Sequence, residues 1–412
     1  MLSPNPLSLF CALLLCLPLA VVFTITTTPP NTTTTGGATT ISTTSNTTTN
    51  RSGVYPIVPT FTPTIKTQQK NKNTTATSPP PPRPAEEDDD DSLFRLAARV
   101  NPKPSPAGSR KKLAFMFLTT TPLPFAPLWE LFFNHTPKNL YNIYIHADPR
   151  IYYDPPFRGV FDHRVIPSKP TRRYSPTLIA AARRLLSQAL LHDPSNSMFA
   201  LLSASCIPLH SFNFTYKTLI RSKKSFIEIL KNEAGAYDRW AARGEGVMLP
   251  EVRFESFRIG SQFFVLTRRH ARIAVSDRRL WSKFKLPCLK TSTCYPEEHY
   301  FPTLMSMKDP RGCVPATLTH VDWKGRHDDH PRTYGAAEVG PNLIMSLRKH
   351  RPRYGAVGIN GSDSSVRRRR DPFLFARKFS PDSIQPLMSM ANDVIFKDQH
   401  VNSVNYTNFR RQ

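Results

Sequence analysis

The chain has 412 residues, with 55 Lys and Arg against 30 Asp and Glu, and a formal net charge of +25 at pH 7. That length allows two domains or one large domain. Residues 26–110 are rich in Thr, Asn, Pro and Ser, so they bury too little apolar surface to offset their chain entropy. The sequence therefore predicts a disordered stem over 26–110, a folded domain over 111–400 and a tail over 401–412.

The amino-terminal residues include an uncharged apolar run, LSLFCALLLCLPLAVVFTI, at residues 7–25. This run is close to the ~20 residues that cross a bilayer as a helix. A cleaved signal peptide and an uncleaved anchor both fit it. We favour the anchor, because the run is longer than the ~7–15 apolar residues of a usual signal peptide. A short cytoplasmic end at residues 1–6, a type II transmembrane topology with a single signal-anchor and a lumenal domain are then expected.

If the domain is lumenal, its positive charge and its cysteines are interpreted differently. The charge alone would suggest nucleic acid, but a membrane-crossing segment excludes that partner and favours diphosphates, anionic glycans or lipid surfaces. Glycosylation sequons support a lumenal location, and those beyond the predicted stem are at Asn134, Asn213, Asn360 and Asn405. The four cysteines outside the apolar run allow three pairings that the sequence does not separate, although Cys206 lies in an apolar stretch typical of a buried free thiol.

The domain begins with alternating strand and helix patterns. Apolar runs predict strands in KLAFMFLT from Lys112 and in NLYNIYIHADP from Asn139, and further along the chain at Arg164–Pro167, Met198–Ser203 and Gln262–Thr267. Helical spacing is found at Pro127–Phe133, at Ser175–Leu191 and directly after Thr267. Such alternation predicts an α/β fold with a mainly parallel central sheet, whose site lies beyond the carboxyl ends of the strands.

Several familiar phosphate and nucleophile motifs are absent from the sequence. It contains no G-x-G-x-x-G, no glycine-lysine phosphate loop and no G-x-S-x-G. Dinucleotide oxidoreductases, P-loop enzymes and serine hydrolases are therefore disfavoured.

Six stretches, in this order, resemble the Core-2/I-branching β-1,6-N-acetylglucosaminyltransferase family (glycosyltransferase family 14-like), particularly its plant branch. They are FLTTTPLPFAPLWELFF, LYNIYIHADP, FALLSASCIPL, FRIGSQFFVLTRRHA, PEEHYFPTLM and FLFARKF. The resemblance implies a GT-A-like glycosyltransferase of the Golgi membrane that inverts the anomeric centre. It would move a sugar from a UDP-sugar, such as UDP-N-acetylglucosamine, to a glycan or glycoprotein acceptor. The alternative is a catalytically weak, lectin-like or scaffolding relative that keeps the fold.

The stretch PEEHYFPT carries the catalytic prediction. An inverting transfer needs a carboxylate that removes the proton of the acceptor hydroxyl. The second acid of the family's P-(D/E)-E pattern has this role, and it matches Glu298. Glu297 is expected to cap a helix that starts at Pro296, where a carboxylate is favoured by the helix dipole. His299 is expected to be a packed or capping residue rather than to carry protons.

The resemblance also implies a donor site without a metal cofactor. Many GT-A enzymes hold the donor diphosphate through manganese and an Asp-x-Asp triplet, which this chain lacks outside its acidic run at Glu86–Asp91. Fixed cations can stabilise the departing diphosphate instead. Lys378 in FLFARKF and Arg332 in HPRTY match the family's diphosphate contacts. Asp148, at a strand end, is predicted to reach the nucleoside, with capping of the next turn as the alternative.

Two further residues are predicted to bind the acceptor. Trp323 in THVDW resembles a tryptophan on which the family stacks a sugar ring. Arg243, the last residue of RWAAR, resembles an arginine that holds the acceptor. Gly260, in GSQ, is expected to let a strand approach the site closely.

Overall fold

The computed structural model describes residues 87–103, 110–324, 330–355 and 369–398. The predicted membrane segment, most of the predicted stem, the tail and the sequons at Asn360 and Asn405 lie outside these ranges. The other two domain sequons, at Asn134 and Asn213, have exposed side chains. No helix in the described ranges is both long and apolar enough to span a bilayer.

The strands of the described residues form two sheets. The central sheet has six strands in the order β2-β1-β3-β6-β5-β7, and a small sheet has the order β4-β9-β8. Along the chain they are β1 (Lys112–Thr119), β2 (Tyr141–Ala147), β3 (Asn196–Ser203), β4 (Ile207–Pro208), β5 (Ser225–Phe226), β6 (Val265–Thr267), β7 (Cys313–Val314), β8 (Thr319–Val321) and β9 (Phe375–Arg377).

Helices cover both faces of the central sheet. They are α1 (Glu87–Ala98), α2 (Ala126–Phe133), α3 (Thr177–His192), α4 (Phe212–Arg221), α5 (Ala236–Trp240), α6 (Arg268–Ser276), α7 (Arg279–Phe284), α8 (Pro296–Lys308), α9 (Pro341–Lys349) and α10 (Ile384–Ser389). The elements predicted from Lys112 to Ser203 are thus present, except that Val165 of the predicted Arg164–Pro167 strand makes only an isolated bridge to Ile145.

Strand β1 divides the core into two layers. Its side chains alternate between the faces of the sheet, as the period of a strand requires. Phe115 and Phe117 pack on the Trp129 side, while Met116 lies in the layer that α3 covers. Residues on both faces are buried, which explains the continuous apolar run that predicted the strand.

Strand β6 departs from the parallel arrangement. Strand β1 pairs in parallel with β2 and β3, and β5 pairs in parallel with β7, but β6 is antiparallel to both of its neighbours. The sheet is therefore mixed, with parallel pairing dominant. Since β6 runs in the opposite direction, the residues just before it lie at the same edge as the carboxyl ends of β5 and β7.

Helix α1 corrects the predicted boundary of the folded region. The sequence predicted disorder up to residue 110, but the acidic run continues into a helix that packs on α3 and α6. Phe94 and Ala97 are buried, and the guanidinium of Arg183 lies 4.2 Å from the centre of the Phe94 ring. Asp90 forms an ion pair with the buried Arg184 and a second one with Lys169 at 3.4 Å. Folded structure therefore extends at least to residue 87.

Of the four cysteines outside the apolar run, two form a disulfide and two are free, so only one bond of one of the three possible pairings is present. Cys288 is bonded to Cys294, while Cys206 and Cys313 are buried free thiols. The prediction of a buried free thiol at Cys206 is confirmed. The disulfide lies in the segment that leads into α8.

Candidate active site

A cavity of about 750 Å³ opens at the edge of the sheet where β5 and β7 end. Glu228 and Leu230 follow β5, Thr317 follows β7, and Gly260 lies before the antiparallel β6. Trp323 follows β8, which belongs to the small sheet. This is the edge at which ligands bind in open α/β folds. The size lies within the range of small-molecule sites.

Helix α8 places Glu298 in the cavity. Pro296 is the first residue of the helix, as the sequence predicted, and the helix has two glutamates and no basic residue in its first turn. The Glu298 side chain is 34% exposed and lies 3.8 Å from the guanidinium of Arg239. A carboxylate in this position can accept a proton from a hydroxyl group bound in the cavity.

Glu297 and His299 lie away from the cavity, in the core. Glu297 is 8% exposed, and one of its carboxylate oxygens is buried without a hydrogen bond. Burial raises the pKa of Glu297 to about 8, and the neighbouring Glu298 contributes to the rise. His299 is fully buried against Phe257, and burial holds its pKa well below the usual value. The prediction that His299 is packed is confirmed.

Glu228 is a second carboxylate in the cavity, and sequence reasoning missed it. Burial raises its pKa to about 7, with Arg353 opposing the rise and Glu298 adding to it. Gly260 brings the two acidic segments together: its N–H donates to the carbonyl of Glu298 at 2.9 Å, and a Cβ at this position would lie 2.1 Å from the carbonyl oxygen of Glu228. The expected close approach at Gly260 is confirmed.

The two arginines of RWAAR have different surroundings. Arg239 lines the cavity, and its guanidinium lies 5.1 Å from the centre of the Tyr295 ring. Arg243, the residue predicted to hold the acceptor, is 3% exposed and donates to the carbonyls of Leu286 and Phe284. Burial lowers the pKa of Arg243 to about 10. The structure thus places the first arginine of the motif, and not the last, in the cavity.

Trp323 is the exposed aromatic side chain of the cavity. Its side chain is 54% exposed. The preceding residue, Asp322, fixes the turn: it accepts from the Lys324 N–H at 2.9 Å and from the Tyr334 hydroxyl at 2.9 Å. An accessible indole ring can stack on the apolar face of a pyranose.

Lys378 and Arg332 lie in two segments that are joined by a backbone bridge. Tyr334 N–H donates to the Lys378 carbonyl at 3.0 Å, and Phe379 packs on Tyr334 and on Phe125, which follows β1. Arg332 forms ion pairs with Glu338 and, at 4.0 Å, with Asp322. The fold therefore brings together the backbone segments that carry the two cations predicted to contact the diphosphate, but neither Lys378 nor Arg332 lines the cavity of about 750 Å³.

Asp148 adopts the capping arrangement that the sequence left open as the alternative. It is 1% exposed, and it caps the next turn by accepting a hydrogen bond from the backbone N–H of Arg150 at 2.9 Å. It also accepts from the backbone N–H of Thr171 at 2.8 Å and from the side chain of Arg150 at 2.8 Å. The hydrogen bond from Arg150 is the main cause that holds the pKa of Asp148 well below its usual value. Contact with a nucleoside remains a prediction for this residue.

The cavity also contains cations that sequence reasoning missed. They are Arg351 and Arg353, which follow α9, Lys324, and Arg377 at the end of β9. Arg377 lies 4.5 Å from the centre of the Phe263 ring, and burial lowers its pKa. A signal was present for Arg377, because it directly precedes Lys378 in FLFARKF. No group of three or more His, Cys, Asp or Glu in the described ranges is arranged to hold a metal ion.

An α/β fold whose cavity combines a carboxylate, an exposed indole ring and several cations has the features of an enzyme that acts on sugars carried by anionic groups. The chain belongs to the Core-2/I-branching enzyme family, whose profile matches residues 113–348. Among curated proteins it is 28% identical over 314 residues to "Glycosyltransferase BC10" of Oryza sativa subsp. japonica, covering 69% of this chain and 77% of the rice protein. It is therefore a glycosyltransferase.

Proposed function

We propose that the chain is an inverting, metal-independent glycosyltransferase that moves a sugar, such as N-acetylglucosamine, from a UDP-sugar to a glycan or glycoprotein acceptor. The observation that carries this proposal is that one cavity contains Glu298, the exposed ring of Trp323 and the cation Arg239. Such a transfer needs a base, an aromatic ring that stacks on the sugar and a positive charge within one site.

The proposed reaction is a single displacement. The acceptor sugar stacks on Trp323, and Glu298 takes the proton of its hydroxyl as the oxygen forms a bond to C1 of the donor sugar. The bond from C1 to the diphosphate breaks on the opposite face, and UDP leaves with the electron pair. Lys378 and Arg332 stabilise the charge that grows on the leaving diphosphate, which is the role that a metal ion has in other enzymes.

We also propose that the enzyme is a Golgi protein with a lumenal domain, held in the membrane by residues 7–25. The bond between Cys288 and Cys294 supports an oxidising compartment, because disulfides are rare in the cytosol. The exposed sequons at Asn134 and Asn213 are compatible with glycosylation there.

The test is UDP release by the full chain across a panel of UDP-sugars, with and without glycan acceptors. Glu298→Gln should lower the rate by ~10²–10⁴, because an amide of the same shape cannot accept the proton. Glu255→Gln, an exposed site away from the cavity, is the control and should keep the wild-type rate.

Two outcomes would contradict the proposal. If Glu298→Gln stays active while Glu297→Gln or Glu228→Gln is inactive, the base is assigned wrongly. If the folded protein binds glycans but releases no UDP with any donor, the lectin-like alternative is correct.

A further inference from the structure

A second cavity, of about 330 Å³, lies at the opposite edge of the central sheet from the candidate active site. Its lining includes Lys111 just before β1, Ser197 near the start of β3, Lys223 just before β5 and Gly312 just before β7. Because these parallel strands end at the active-site edge, their beginnings are at the far edge. The two cavities are therefore separate sites.

The lining of this cavity is strongly basic. Exposed cations come from three distant segments of the chain, with Lys111 on the first, Arg221 and Lys223 on the second and Arg269 on the third. Among the described lining residues the one carboxylate is Asp309. It is already engaged by Arg269 at 3.3 Å and by the buried His270 at 3.1 Å.

The start of helix α6 adds to the positive potential. Arg268 and Arg269 are its first two residues, and its first turn has no acidic residue. This is the reverse of the usual arrangement, because the amino end of a helix favours negative charge. Asp309 offsets only part of the charge of these two arginines and the three further cations, so a bound anion would relieve the remaining repulsion.

Hydrogen bonds between distant segments hold the backbone around the cavity. The buried Arg268 donates to the carbonyls of Asn101 at 2.9 Å and Asn196 at 3.1 Å, which fixes the start of α6 against two other segments. The hydroxyl of Tyr216 donates to the carbonyl of Lys111 at 2.7 Å and fixes the segment before β1 against α4. The cations thus extend from a preformed frame, which lowers the entropic cost of binding.

We propose that this cavity is a second ligand site, which binds a compact molecule with two or more phosphate or sulfate groups. Arginine side chains bind such oxyanions through paired N–H donors, and lysines add point charge. The volume is near the lower limit of ligand sites, so it suits a group of pyrophosphate size better than a whole nucleotide sugar.

The test is calorimetric titration of the full chain with inorganic pyrophosphate and, separately, with a sulfated disaccharide. Compared with wild type, the Arg221→Gln/Lys223→Gln variant should bind one equivalent less of pyrophosphate, of the disaccharide or of both. Alternatively, it should bind that ligand at least about 10-fold more weakly. Lys217→Gln/Lys308→Gln removes the same charge from exposed positions outside the cavity, and it should bind as wild type does. If only one of the two ligands shows this loss in the variant, that ligand shows whether the site prefers phosphate or sulfate groups.

This design separates the second site from the proposed catalytic function. Pyrophosphate bound at the donor site is retained in both double variants, and UDP release should stay at the wild-type level in both, because none of the substituted residues lies in the catalytic cavity. Equal binding by the two double variants, or no binding of either probe, would overturn the proposal. If Arg221→Gln/Lys223→Gln lowers Tm, Arg269→Gln supplies the same comparison.

Discussion

Glu297 and Glu298 are adjacent in the sequence but differ in their surroundings. The start of α8 directs Glu298 toward the cavity and leaves Glu297 in the core beneath it, where an oxygen has no hydrogen-bond partner. With the pKa of Glu297 raised to about 8 by burial, its neutral form prevails at pH 7. The enzyme thus avoids placing a second full charge directly behind the proposed base.

This arrangement predicts a pH-dependent effect of Glu297→Gln on stability. The folded pKa of about 8 exceeds the ordinary value of 4.5, so between these pH values the folded state binds more protons than the unfolded state. The free energy of unfolding of the wild type therefore loses a contribution as pH rises through this interval. Gln cannot ionise, so the Tm of the variant relative to wild type should rise by at least about 2 °C between pH 5 and pH 8.5.

The same comparison with Glu255→Gln controls for the general effect of removing a glutamate. The Tm difference of Glu297→Gln from wild type should change more with pH than that of Glu255→Gln, whose side chain is exposed. A Glu297→Gln difference that is independent of pH would contradict the raised pKa.

Gly260 supports a second prediction about a single residue. An alanine Cβ would lie 2.1 Å from the Glu228 carbonyl oxygen and 2.9 Å from Cγ of Pro302, so β5 and α8 would have to separate. Gly260→Ala should lower the free energy of unfolding by about 1–3 kcal/mol. It should also reduce UDP release at temperatures where the protein stays folded. Gly340→Ala, where the Cβ meets open space at the N-cap of α9, should lower Tm less and leave UDP release unchanged; equal effects at both sites would reject the spacing role.

The RWAAR motif shows why some site residues could not be predicted. Arg239 and Arg243 are four residues apart, which would place them on one face of a continuous helix. Helix α5 ends at Trp240, and the next three residues form a 3₁₀ turn that directs Arg243 into the core against Phe284. Glu298 and Trp323 were easier to predict, because local motifs place them. Glu228, Arg351 and Arg353 belong to the site only through tertiary structure.

Helix α1 shows that amino-acid composition alone does not predict every secondary-structure element. A run of four aspartates has low helix propensity and little apolar surface, so it predicts disorder. The carboxylate-rich first turn suits the helix dipole, and Phe94 and Ala97, three residues apart, supply one buried stripe. Packing on α3 and α6 provides the stabilisation, and no pattern within the segment indicates that those partners are available.

Replacing Phe94 tests whether α1 is part of the folded domain. Phe94→Ala should lower the free energy of unfolding by about 3–5 kcal/mol, because the ring is 4% exposed and covers the guanidinium of Arg183. Leu96→Ala, on the same helix but 55% exposed, should cost less than about 0.5 kcal/mol. Chemical denaturation of both variants measures the difference. Similar small losses in both would mean that α1 contributes nothing to the stability of the domain.

At the scale of the whole molecule, the sequence predicted the fold class better than the sheet order. Long apolar runs such as β1 can be recognised as strands from the sequence, because both of their faces are buried. Strands β5 and β7 have two residues each, too short for any periodicity, and the antiparallel direction of β6 depends on contacts distant in sequence. Long elements are therefore predictable from local pattern, whereas the short strands that shape the cavity are not.

The distribution of charge leads to a prediction about metal dependence. Four arginines line the candidate active site, namely Arg239, Arg351, Arg353 and Arg377, and Lys378 and Arg332 lie in bridged segments. Fixed cations can therefore offset the charge of a leaving diphosphate. Transferase activity should therefore persist in excess EDTA, measured as UDP release after removal of divalent ions. Loss of activity that Mn²⁺ alone restores would contradict this role of the side chains.

The bond between Cys288 and Cys294 connects helix α8, which carries the proposed base, to the redox state of its surroundings. Cys294 is two residues from Pro296, where α8 begins, and four from Glu298. Closing this loop reduces the conformations open to the segment that positions the proposed base. A newly made chain that still carries both thiols would hold Glu298 less firmly than the oxidised enzyme does. Full activity would then follow oxidation of this pair during maturation, and transfer in a reducing compartment would be suppressed without any inhibitor.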